Sequence, residues 1–184
     1  MKKTISYWSP HISKVATIKA VYNSAISLNY FSKERFKPEI LDAFGEWEKF
    51  YNKSSKDFIK FHRLTKFSFL HKLSSEGFVL SRLKYIIIFV ISFFPLKKYL
   101  ENKKPEYLLI HLITSLPLFL NLIFKFESRI ILRISGKPKM NFLRYIFWKI
   151  ALKKVYKITF PTYETLNNFK KLKITEDHKL ILIY

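Results

Sequence analysis

The chain has 184 residues, a length that suits one domain with a buried core, and carries 34 Lys and Arg against 13 Asp and Glu, a formal net charge of +21. The absence of cysteine excludes disulfides, thiolate metal sites and cysteine nucleophiles, and the three glycines leave neither a G-x-G-x-x-G fingerprint nor a phosphate-cradling P-loop. So high a charge asks for an anionic partner: nucleic acid, a membrane face or a phosphorylated substrate.

After Lys2 and Lys3 the apolar stretch is too short and too interrupted for a signal peptide, so the cytoplasm is the expected location. Thr4 to Trp8 reads as a first strand and Ser9 to Ile12 as its loop. Ser13 can cap a helix whose apolar residues Val15, Ile18, Tyr22 and Ala25 recur at helical spacing. A second strand is expected over Glu39 to Ala43, with Pro38 tolerated at its start, and a weaker third over Phe58 to Leu64. Lys49 to Lys56 and Thr65 to Gly77 are polar and irregular. Gly77 to Leu100 reads as a long helix, kinked or ended at Pro95.

From Pro105 onward one pattern is written three times: an apolar run, a polar or glycine-containing stop, then a helical run. The apolar runs are Tyr107 to Leu112, Arg129 to Ile134 and Tyr156 to Phe160, stopped at Ile113-Thr114-Ser115, Ser135-Gly136-Lys137-Pro138 and Pro161-Thr162. Strands alternating with helices in this way predict an α/β fold with a doubly wound, mostly parallel sheet, and ligands there bind beyond the carboxyl ends of the strands. Tyr107 to Phe124 is 18 residues without a charged side chain, long enough for a membrane span. The Thr114-Ser115 break followed by Pro117 instead predicts a strand and then a buried helix. Lys179 to Tyr184, "KLILIY", reads as a buried strand with no helix after it to cover it.

Three segments resemble a known family: "PEYLLIHLITSLPL", "RIILRISGKPKMNFLRYIFWK" and "YKITFPTYETL". They are similar to the amino-terminal half of bacterial capsule-type glycosyltransferases of family 4, and "YWSPHISKVATIKAVYNSAISL" and "GFVLSR" extend the likeness from Ser6 to Tyr184. The resemblance implies the Rossmann-like, acceptor-side domain of a GT-B glycosyltransferase, spanning 1–184, with the donor-binding domain and its paired glutamates lost or separately encoded. It implies a nucleotide-sugar donor engaged through that second domain, a lipid-linked or cell-surface saccharide acceptor, and no cofactor or metal.

On this resemblance His111 is the candidate catalytic residue, in a region where relatives place a histidine against the donor sugar. Its position near a strand end suits hydrogen bonding to a sugar hydroxyl or stabilisation of developing charge, and equally a histidine packed between sheet and helix. Candidate acceptor contacts are Ser9, Pro10 and His11, Thr114 and Ser115, Arg133, Ser135 and Gly136, and Thr162. Ser9-Pro10-His11-Ile12 stands where relatives often carry glycines, which weakens the case for a backbone contact to a ligand there. Arg133 is either turned inward and paired or reaches toward a phosphate. Arg82 is similar, or simply solvated at a helix start, and Thr114, Ser115, Ser135 and Thr162 also suit helix capping. The five histidines, at 11, 62, 71, 111 and 178, lack the short spacings of a metal site.

The basic stretch Lys137 to Lys157 interleaves Arg144, Lys149, Lys153 and Lys154 with Tyr145, Phe147 and Trp148. Such a helix suits an anionic membrane surface at the inner membrane face, with Arg144, Trp148, Lys149, Lys153 and Lys154 as the contacts, or a core-facing helix with a solvated basic side. A basic membrane-binding module without enzymatic activity is the competing function. No helix-turn-helix, ribonucleoprotein or zinc-finger pattern supports nucleic acid binding.

Overall fold

The computed structural model describes residues 3–11, 16–33, 35–51, 59–67, 78–138 and 140–183. The predicted cap Ser13, the helix position Val15, Phe58, His71 and Gly77 lie outside the described residues.

Seven parallel strands form one sheet in the order β3-β2-β1-β4-β5-β6-β7. They are β1 (Lys3–Trp8), β2 (Phe36–Asp42), β3 (Lys60–Arg63), β4 (Tyr107–Ile110), β5 (Arg129–Arg133), β6 (Lys157–Phe160) and β7 (Leu180–Leu182). The strands are joined by helices that include α1 (Ala16–Phe31), α2 (Phe78–Lys103), α3 (Ser115–Ile123), α4 (Phe142–Ala151) and α5 (Tyr163–Lys170). This is the doubly wound α/β arrangement expected of strands and helices in alternation. Both faces of the central strands are buried, because successive side chains point to opposite sides. Tyr7 and Ile40 pack with Val21, Tyr22 and Ala25 of α1, while their neighbours Trp8 and Leu41 pack with Ile88, Leu96 and Leu100 of α2, Leu116 and Leu120 of α3, and Trp148 of α4.

The winding runs from β1 out to β3, then α2 carries the chain back across so that β4 pairs with β1. The order therefore reverses between β1 and β4, and in open α/β sheets the carboxyl ends of the strands at such a switch point are where ligands bind.

Three elements differ from expectation, and a fourth, the strand and helix of residues 107–124, matches it. Pro38 lies inside β2 rather than at its start. β3 pairs only from Glu39 onward, so at Pro38 the strand has β1 alone as neighbour and the missing amide is tolerated. Helix α2 runs through Pro95 to Lys103. A proline inside a helix costs about 3 kcal/mol; burial of Ile88, Leu96, Tyr99 and Leu100 at about 1.5–3 kcal/mol each outweighs it. Residues 107–124 form β4 and the short helix α3, and among the described residues no helix is long and apolar enough to cross a membrane. Strand β7 is a half-exposed edge strand, not a buried one, since only β6 pairs with it.

Candidate functional site

The strand ends at the switch point are set by register. Ile110 pairs with Trp8 on one side and with Leu132 on the other, and the His111 amide donates to the Trp8 carbonyl at 2.9 Å. His111 thus follows β4 beside Ser9 of the β1 loop and Arg133 at the end of β5. Its ring stacks on Tyr7 at 6.0 Å. Burial first, then the Arg133 guanidinium, push the His111 pKa down to about 3, so the imidazole is neutral at physiological pH. Its Nε2 and the Ser9 hydroxyl are buried with no hydrogen-bond partner among the described residues. Buried polar atoms are ordinarily satisfied, so these two unpaired atoms at adjacent strand ends can take up a water or a ligand's polar group.

Arg133 is half-buried and makes no ion pair among the described residues. It stands at the upper end of a groove of about 470 Å³ on the α1 side of the sheet, floored by Leu109, Ile131, Thr159 and Ile181. These residues alternate along β4 to β7, so the groove is the inner face of those strands, and His111 continues the same row above Leu109.

The loop that leads from β4 carries a strained residue. Ile113 has φ 48, a left-handed value costly for a β-branched side chain, and the Trp8 indole donates to its carbonyl at 3.1 Å to hold it there. Thr114 and Ser115 follow at the start of α3. Thr114 occupies the cap position without a side-chain hydrogen bond, and Ser115 is exposed.

The other expected contacts are dispersed. Pro10 is buried, and His11 packs edge-on against Trp47 at 4.9 Å; burial lowers its pKa against the pull of the Ser9 backbone, Asp42 and the Glu46 backbone. Ser135 and Gly136 sit in an exposed loop, and a Cβ at Gly136 would meet nothing within 4 Å, so no close approach there demands glycine. Asn141, not Ser135, caps α4, accepting from the Arg144 amide at 2.8 Å. Thr162 caps α5, accepting from the Thr165 amide.

Sequence reasoning passed over the acidic loop after β2. Asp42 is fully buried; its carboxylate accepts from the Gly45 amide at 2.5 Å and from the Tyr51 hydroxyl. Glu46 accepts from the Ala43 and Phe44 amides at 3.0 and 2.8 Å. Burial, reinforced by Asp42 beside it, raises the Glu46 pKa well above its ordinary value. Gly45 is required here, with φ +99 and a Cβ that would lie 2.8 Å from Arg63 Nη2. The legible signal was an aspartate closing an apolar strand, followed three residues later by glycine.

The basic helix is only partly a surface. Trp148 lies in the core against Phe169, which removes it from any outer contact, and Arg144 covers it at 5.1 Å. Lys154 donates to the Asn121 and Leu122 carbonyls at the end of α3, whereas Lys149 and Lys153 are exposed. Among the described residues no three His, Asp or Glu side chains gather as a metal site.

No family model and no curated protein matches the sequence. Solved structures do match its fold. A glycosyltransferase from Rickettsia africae aligns with 99% of this chain at a TM-score of 0.65 and 11% identity. Anabaena HepE, determined with UDP and glucose, aligns with 99% at 0.57 and 9% identity, and UDP-N-acetylglucosamine 2-epimerase from Rickettsia bellii with 99% at 0.55 and 10% identity. The chain spans 42, 44 and 44% of those proteins, respectively. At such low identity the likeness is one of fold: the chain is a Rossmann-like α/β domain of the kind found in GT-B glycosyltransferases and related epimerases.

Proposed function

We propose that this chain is the acceptor-side domain of a GT-B glycosyltransferase of the capsule-type family 4. It moves a sugar from a nucleotide-sugar to a lipid-linked or cell-surface saccharide, at the cytoplasmic face of the membrane and together with a donor-binding domain. The observation that carries this reading is the pairing of His111 with Arg133 at the switch point, where a neutral imidazole with an unpartnered Nε2 stands beside a guanidinium that forms no ion pair among the described residues. In the transfer, an acceptor hydroxyl attacks the anomeric carbon as the bond to the nucleoside diphosphate breaks, the diphosphate leaving with the electron pair. A neutral His111 suits hydrogen bonding at the sugar, and Arg133 suits the negative charge that builds on the leaving phosphate. Ser9, Pro10, His11, Thr114, Ser115, Ser135, Gly136 and Thr162 belong to loops at the same strand ends and are the proposed acceptor contacts, with Ser9 favoured by its unpaired hydroxyl.

Calorimetric titration tests the division of labour. The chain alone should bind no uridine, guanosine or adenosine diphosphate sugar, and sugar transfer to a lipid-saccharide extract should appear only when a donor-binding domain is supplied. Micromolar binding of any of those sugars to the chain alone would remove the acceptor-side assignment.

A further inference from the structure

The membrane placement in that reading leaves open which surface meets lipid, and the exposed faces of α2, α3 and α4 answer it. The three helices pack side by side on one face of the sheet, α3 in the middle, with Phe119 of α3 against Phe89 and Phe93 of α2 at 5.8 and 6.3 Å. Each buries one side in the common core. The opposite sides should then be polar, since a helix on a globular surface turns charged residues outward. They are not. On α2, Leu83, Ile86, Val90 and Phe94 recur at three- and four-residue spacing along the outer face, all exposed, Phe94 at 73%. Ile123 continues the surface on α3, and Phe142, Ile146 and Ile150 on α4, Phe142 at 76%. An apolar surface spread over three helices is larger than scattered surface hydrophobics explain.

Its charge is one-sided. Neither α3 nor α4 contains an Asp or Glu, and α2 has one, Glu101, in its last turn. The rim carries exposed Lys98, Lys125, Lys149 and Lys153. A protein interface with mixed charges would need acids here to meet its partner's bases; an anionic bilayer needs none.

We infer that the outer face of α2, α3 and α4 is the docking surface for an anionic phospholipid bilayer, with the apolar side chains entering the acyl boundary and the rim lysines meeting headgroup phosphates. The anchor is therefore not the basic helix α4 alone: its Trp148, and Lys154 just after it, are occupied within the fold. This inference deepens the membrane placement and is independent of the sugar chemistry, which transfer assays read separately.

The test is co-sedimentation of the 184-residue chain with phosphatidylcholine vesicles, with and without about 30% phosphatidylglycerol. The chain should bind the anionic vesicles at least about tenfold more tightly, and raised salt should weaken that binding by screening the lysines. Replacing Ile86, Val90 and Phe94 together with serine should weaken it about tenfold or more, as should Lys149→Gln with Lys153→Gln. All five sites are exposed, so circular dichroism should show the parent fold. Equal binding to neutral and anionic vesicles, or unchanged binding by the α2 variant, would overturn the inference. So would concentration-dependent self-association of the parent without vesicle binding, which would assign the face to a second copy.

Discussion

Replacing His111 with phenylalanine should make the fold less sensitive to acid while disabling the site. Burial and the neighbouring Arg133 hold the imidazole pKa at about 3, against 6.5 for a solvated histidine. Between those values the unfolded chain binds a proton that the folded protein refuses, so stability is complete above about pH 6.5 and falls as pH falls. At about 1.4 kcal/mol per pH unit, this one group removes about 3 kcal/mol between pH 6.5 and 4. His11 and His62, whose pKa values burial also lowers, pull in the same direction but remain in both proteins, so the difference between parent and variant isolates His111. Phenylalanine keeps the ring against Tyr7 and removes the unpaired Nε2, which itself costs about 1–3 kcal/mol. Urea unfolding followed from about pH 7.5 to about pH 4 should show a variant at least as stable as the parent at neutral pH and ahead of it by about 3 kcal/mol more in acid. On the proposed function, with a donor-binding domain supplied, the same change should lower turnover on the order of a hundredfold. Parallel pH profiles would mean that His111 titrates as a solvated imidazole, and a folded variant with the parent's turnover would assign the residue to packing alone.

Glu46→Gln should flatten the fall in stability as pH rises above the ordinary carboxyl value of 4.5. A carboxyl whose folded pKa is raised contributes fully at low pH and loses that contribution as pH rises through the folded value, and glutamine removes the ionisation while keeping one carbonyl acceptor for one of the two amides, Ala43 or Phe44, that Glu46 accepts from. An unchanged profile would show that Glu46 ionises normally. Tyr99→Phe should cost about 2–4 kcal/mol in a thermal or urea melt, because it leaves buried Glu39 without the 2.5 Å hydroxyl donor and Ser6 without its partner at 2.7 Å. Gly45→Ala should destabilise by more than about 1 kcal/mol through its positive φ and the Arg63 contact. Gly136→Ala, with open space around it, should stay within about 0.5 kcal/mol of the parent.

The sequence alone determined what depends on neighbours in the chain. The apolar runs at β1, β4, β5 and β6, the break at Thr114-Ser115 and the cap at Thr162 are local signals, and strand after helix in that rhythm leaves a parallel sheet as the one economical arrangement. What the tertiary structure decided depends on which faces meet. Periodicity says that α4 has two sides, but only packing against Phe169 turns Trp148 inward, and only the end of α3 gives Lys154 its carbonyls. Alternation says that His111 and Arg133 lie near strand ends, yet the pairing of β4 with β5 makes them neighbours, because a shift of one residue would send either side chain to the other face. The run of α2 through Pro95, the half-exposed edge at β7 and the apolar outer stripe of α2 follow the same rule, each set by what lies across from the element and not along it.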